Sequence, residues 1–132
     1  MIPLLFIAAA SADLDTLDQA VTRCDRAAVN PMFAGEAARR SQFLLDAYKE
    51  QEGIVTDRAA LTEQRRTLRD GGSVKEADQK LLDQQQSDLD DRQKALNDKR
   101  MLEGIREDAM DSMRHYFLLN CPAGGGQDRA KR

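Results

Sequence analysis

The chain has 132 residues, a formal net charge of −3, 33 % charged residues, only 5 % aromatic residues and no Trp. Its three prolines, Pro3, Pro31 and Pro122, leave the whole stretch from Met32 to Cys121 without one, which excludes loop-rich and all-β folds, because turns and strand ends recruit Pro and Gly. Large apolar side chains are too sparse outside residues 1–12 to fill a broad globular core, so the composition points to long helices sharing a thin seam.

Met1 to Ala12 reads MIPLLFIAAASA and gives way to the acidic Asp13-Leu14-Asp15. An uncharged apolar block closing on Ala10-Ser11-Ala12 has the form of a secretory signal peptide with a small-residue cleavage site. The alternative is an apolar N-terminal arm packed on the body. The block falls far short of the roughly 20 residues that span a bilayer, so no stable membrane span is expected. Cys24 and Cys121 are the only cysteines. In an oxidising compartment they predict one structural disulfide, which stabilises by about 4–5 kcal/mol in the chain-entropy model; in a reducing one they would be two partly buried thiols. The signal-like block and the cysteine pair together give a periplasmic or secreted location as the expectation.

Residues 13–29 read as a first helix. Leu14, Leu17, Val21, Cys24 and Ala28 step by three and four along one face, and Asp13, Asp15 and Asp18 suit the positive end of its dipole. Asn30-Pro31 is expected to end it, since the residue before proline is pushed out of helical geometry. A second helix spans about 34–69, where Ala47, Ile54, Leu61 and Leu68 repeat every seven residues. Gln51, Arg58 and Arg65 occupy the companion positions, so the seam is narrow. Asp70-Gly71-Gly72-Ser73 is the one clear turn inside the proline-free stretch. Ser73 and Glu76 have the spacing of a capping box. A third helix should therefore run from about Val74 to Asn120, with Leu82, Leu89 and Leu96 on its seam and a richer end holding Ile105, Met110, Met113, Tyr116, Phe117 and Leu118. Cys121-Pro122 stops it, and residues 123–132, Gly-rich and then charged, read as a disordered tail.

The fold class is therefore all-α: a long antiparallel helical hairpin, coiled-coil-like along its arm, bent at Gly71 and Gly72, with a short N-terminal helix packed at its base, all within one domain over 13–122. Residues facing each other across the turn should have numbers summing to about 143. That pairs Leu61 with Leu82, Ile54 with Leu89, Ala47 with Leu96 and Phe33 with Met110, and it sets Arg65 near Asp78 and Arg40 near Glu103. The third helix would outlast the second, and folding the first over that overhang brings Cys24 toward Cys121. Most aromatics then fall at the base, and the stretch from Glu52 to Arg100 has none. Met32, Met101, Met110 and Met113 lie around the base, where they either fill gaps in the core or present an adaptable apolar surface.

No constellation for catalysis is legible. His115 is the only histidine, the serines lack a nucleophile-elbow context, and Gly124-Gly125-Gly126 is followed by no Lys-Ser/Thr, so it is not a phosphate loop. The cysteines have no CxxC or His-rich company, so no metal or cofactor and no small-molecule substrate is expected. Nucleic-acid binding needs a basic face, whereas the charges here are mixed and slightly acidic. Protein–protein contact, with a partner or by self-association, is what remains. The segment VKEADQKLLDQQQSDLDDRQKAL resembles the arms of periplasmic holdase chaperones of the Skp/OmpH-like class, over roughly residues 36–105. The resemblance implies helical hairpins that hold client proteins. It lies in coiled-coil chemistry, and where those chaperones begin with a trimerising β-strand this chain has a helix carrying Cys24. The expected function is a non-enzymatic exported helical protein acting through protein contacts, holdase-like or scaffolding in the cell envelope. The alternative is an intracellular coiled-coil spacer or secretion-apparatus component that retains residues 1–12.

Overall fold

The computed structural model describes residues 13–72 and 74–123. Residues 1–12, which carry the signal-peptide expectation, Ser73 of the expected capping box and residues 124–132 of the expected tail lie outside that range. About nine-tenths of the described residues are helical and none is in a strand. Three helices, α1 (Leu14–Thr22), α2 (Arg26–Asp70) and α3 (Glu76–Asn120), follow in order, and α2 and α3 form the expected antiparallel helical hairpin.

The first helix ends earlier than Asn30-Pro31. Asp13 caps its start, accepting from the Asp15 N–H at 3.3 Å. Its C-terminus is closed at Cys24, which adopts a left-handed backbone with φ 53°. The Cys24 N–H donates to the Val21 carbonyl (3.0 Å) and the Asp25 N–H to the Ala20 carbonyl (2.9 Å). These two bonds make a Schellman termination, the ending that glycine usually provides. Asp25 then serves as N-cap of α2: its carboxylate accepts from the Ala28 N–H at 3.2 Å, and its carbonyl accepts from the Val29 N–H at 2.9 Å.

Pro31 therefore lies inside α2, where it removes the bond that its nitrogen would have given to the Ala27 carbonyl. Ala27 and Pro31 are both on the exposed side of the helix, so water can satisfy that carbonyl. Val29 is fully buried and Met32 and Phe33 pack on the same core, which holds the helical path through the proline. Because α2 starts at Arg26 rather than near Ala34, α2 and α3 are both 45 residues long and the expected overhang of the third helix does not exist.

At the turn, Gly71 donates to the Thr67 carbonyl (3.1 Å) and Gly72 to the Arg69 carbonyl (3.2 Å), and Gly72 takes φ +89°. Only glycine adopts that conformation without strain. The next helix begins at Glu76, two residues later than Val74. Lys75 fills the N-cap place, with its carbonyl accepting from Gln79 at 3.0 Å, and Glu76 and Asp78 stand in the first turn at the positive end of the dipole. The longer connection moves the register. With helices bounded by Asp70 and Glu76, facing residues sum to about 146 rather than 143. Arg65 accordingly meets Asp83, not Asp78, and Arg40 meets Glu107, not Glu103.

The chain divides into two compact units, each with its own core. The base unit comprises the described residues through Phe43 and from Gly104 onward; the arm unit is Leu44–Glu103. In the base, Leu17, Ala20 and Val21 of α1, Val29 of α2, and Met110 and Phe117 of α3 bury together with Cys121. In the arm, Leu61, Leu82 and Leu89 form one cluster with Leu68 at its edge, and Ala47, Ile54 and Leu96 continue the buried column. The sequence places this column correctly. Tyr48 falls in the arm unit and is exposed.

Candidate interaction surfaces

In the base unit, Cys24 and Cys121 are joined in a disulfide, with Cα atoms 5.3 Å apart. It ties the corner between α1 and α2 to the end of α3. Arg26 finishes the corner, donating to the carbonyls of Cys121 (3.1 Å) and Pro122 (3.2 Å) while its guanidinium lies 4.8 Å from the centroid of the Phe117 ring. The Phe117 and Phe33 rings are 6.5 Å apart and tilted by 56°, and Arg114 covers the other ring at 5.0 Å. Stacking a cation on each aromatic seals the core with side chains whose heads stay near water.

The most enclosed charge in this unit is Glu36. Its carboxylate receives two bonds from Arg106, both 2.9 Å, and further bonds from Arg39 at 2.6 to 3.1 Å. The guanidinium of Arg106, and then that of Arg39, hold the Glu36 carboxyl down from 4.5 to about 2, against the opposing effect of burial. Two arginines on one carboxylate are a structural clamp between α2 and α3. A carboxylate so fixed in its charged form has no proton to exchange near neutral pH.

The arm unit is held by one apolar column with polar pairs on both sides. Gln51 and Gln93 exchange amide hydrogen bonds, both 3.1 Å, and Arg100 donates to the Gln51 amide oxygen at 3.2 Å. Arg58 pairs with Asp90 at 2.9 Å. Arg92 bridges Glu50 (3.0 Å) and Asp57 (2.7 Å). The residues at the companion seam positions, Gln51, Arg58 and Arg65, are thus partnered within the arm. The Asp90 carboxyl is lowered by the hydrogen bond from Arg58 and then that from Gln86.

Several large apolar side chains are left uncovered among the polar surface residues. Leu44, Leu45, Tyr48 and Val55 are exposed on α2 of the arm. Near its turn, an open groove runs beside Leu68, Leu81 and Leu82, edged by Glu63 and Asp78. In the base unit the rich end of α3, which reads as one face in the sequence, is divided between two. Met110 and Phe117 point into the core with Met113 at its edge, while Ile105, Tyr116, Leu118 and Leu119 are exposed. Ile105 (59 % exposed), Ala109, Ser112, Tyr116 (47 %) and Leu119 (71 %) form a second row with spacings of four, three, four and three. That spacing was legible in the sequence, hidden by the stronger Met110–Phe117 repeat beside it. The methionines also divide: Met110 is buried, Met32 and Met113 pack against the core, and Met101 is exposed.

His115 is exposed on α3. Among the described residues no group of three or more His, Cys, Asp and Glu side chains is placed to hold a metal ion. No described helix is long and apolar enough to cross a membrane. No protein-family model matches the chain, and neither the curated proteins nor the solved structures include a match.

Proposed function

We propose that this chain is a non-enzymatic helical protein exported to the cell envelope, where it works by protein–protein contact in a holdase-like or scaffolding role. The observation that carries this reading is the distribution of apolar side chains. Twelve large ones are exposed on the described surface, including runs along α2 and α3, while no described polar or charged residue is buried to build a reactive centre. Surfaces of this kind are what binding partners cover. Export is supported by the signal-like residues 1–12 and by the Cys24–Cys121 disulfide, a bond that persists in oxidising compartments.

Two measurements test the reading. Mass spectrometry of the native protein is expected to find a chain beginning at Asp13 with its cysteines bridged; an intact Met1 with free thiols would favour an intracellular spacer. For the contact function, the purified oxidised chain is expected to suppress aggregation of a chemically unfolded client, or to be recovered crosslinked to a defined envelope protein. A chain that does neither would refute it.

A further inference from the structure

We infer that the second row on α3 is a self-complementary face on which two copies of this chain pair antiparallel about Ser112. The inference gives the proposed contact function one definite partner and rests on that reading.

The row Ile105, Ala109, Ser112, Tyr116 and Leu119 lies wholly in the base unit. It covers fourteen residue steps, about 21 Å of helix at 1.5 Å per residue. At 3.6 residues per turn its centre is about 130° around α3 from the buried Met110 and Phe117. Neither α1 nor α2 covers it, as the exposure of its three large members shows. No charged residue interrupts it, and its spacing is that of a helix-packing seam.

A second copy is selected by the order of sizes along the row. In an antiparallel pair centred on Ser112, facing residues sum to about 224. Ile105 then meets Leu119 of the second copy, so large residues meet at both ends. Ala109 meets Tyr116, so each ring enters the gap left by a small side chain. Ser112 meets Ser112 on the two-fold axis, where two small residues let the helices approach closely. An isologous dimer needs every contact to be reciprocal, and in this register each facing pair, Ile105 with Leu119 and Ala109 with Tyr116, recurs on the other side of Ser112 with matched volumes.

The charges on one flank agree. In antiparallel helices like flanks face each other, so Asp108 of each copy comes beside His115 and the Tyr116 hydroxyl of the other. The carboxylate can accept from both. Asp108 and His115 are each exposed in the single chain. A parallel pairing would instead set Tyr116 against Tyr116 and Ala109 against Ala109, crowding one level and leaving a void at the other, and it would put Asp108 and His115 of the two copies on opposite sides of the pair.

The register is directly testable in the full oxidised chain, whose two native cysteines are occupied. Equivalent positions in the two copies are separated along the axis by twice their distance from residue 112, so Ser112 lies near its counterpart whereas Ile105 lies about 21 Å from its own. A short bis-maleimide is expected to crosslink Ser112→Cys chains into dimers and to leave Ile105→Cys chains monomeric. An equimolar mixture of Ile105→Cys and Leu119→Cys chains is expected to crosslink as a mixed dimer. Adding Leu119→Asp to the Ser112→Cys chain places a charge in the apolar contact, and crosslinking should fall about tenfold or more. Equal yields at 105 and 112, or no dimer at 112, would overturn the inference. Its failure is distinct from failure of the proposed function: a monomer that still captures a client or an envelope protein loses this interface and keeps that role.

Discussion

The clamp on Glu36 gives the base unit a pH-dependent stability that can be worked through from the structure. The carboxyl is held at about 2 against an ordinary 4.5. Because the folded value is the lower one, the unfolded chain binds more protons between the two, and stability rises with pH across that window. The contribution is complete above about pH 4.5 and lost as pH falls through about 2. At 1.36 kcal/mol per pH unit the shift corresponds to about 3 kcal/mol as a ceiling. The side chain keeps 12 % of its surface in water and its two arginines 18–19 %, so screening reduces the realised amount to about 1–2 kcal/mol.

The perturbation is Glu36→Gln, which keeps the shape and one carbonyl acceptor and removes the charge. Arg106 and Arg39 are then left against a neutral amide in a half-buried place. Denaturant unfolding at pH 7 should show the variant less stable by about 1–2 kcal/mol, a fall of about 4–10 °C in Tm for a domain of this size. Repeating the measurement as a pH series is the decisive part. The gap between wild type and Glu36→Gln should narrow steadily below about pH 4.5 and nearly vanish by pH 2. A gap that is constant with pH would mean that the loss comes from packing, and the electrostatic reasoning would be wrong.

Breaking the disulfide with Cys24→Ser and Cys121→Ser removes a crosslink spanning 97 residues and should cost about 2–5 kcal/mol, read as a lower Tm that reductant no longer changes. Pro31→Ala restores the missing bond to Ala27 inside α2 and should raise stability by about 1–2 kcal/mol in urea unfolding, after the unfolded chain's regained freedom is discounted; a loss would mean that the proline shapes α2 in a way its burial does not explain. In the arm, Ile54→Ala empties a site with no solvent exposure and should cost about 2–4 kcal/mol, seen as faster amide exchange across residues 44–103. Gln51→Leu alone should destabilise by about 1 kcal/mol by stranding Gln93, whereas adding Gln93→Leu should recover most of it. A double-mutant cycle with no coupling would show the reciprocal amides to be incidental.

The seven-residue repeat through Ala47, Ile54, Leu61 and Leu82, Leu89, Leu96 was enough to give the hairpin and the buried column of its arm, and two cysteines in an otherwise helical chain were enough to give the disulfide. The helix boundary at Cys24 was not legible, because a Schellman ending is recognised by a glycine that this chain does not use there. The proline seven residues later supplied a stronger but false stop. The register was missed by about three residues because Ser73 followed by Glu76 looks like a helix start, while the helix begins at Glu76 with Lys75 before it. The uncovered row from Ile105 to Leu119 was present as spacing, but spacing alone does not say which of two adjacent apolar rows is buried. Only the packing of α1 against Met110, Phe117 and Cys121 settles that.

That three-residue error shows where the register of the hairpin is stored. The arm repeats in charge as well as in leucine: Asp83 and Asp90 are seven apart, as are Arg58 and Arg65 and the glutamines at 86 and 93. Shifting one helix by seven residues would return leucine to leucine and set Arg58 opposite Asp83 and Gln51 opposite Gln86. The fork of Arg92 between Glu50 and Asp57 finds no equivalent, since its place would pass to Gln85. Surface ion pairs of this kind contribute about 0–1 kcal/mol each, too little to exclude a slipped hairpin. The arm therefore specifies its pairing only modulo seven. The choice among these alternatives falls to a feature that does not repeat: Gly72, whose φ of +89° fixes the turn at the end of the arm.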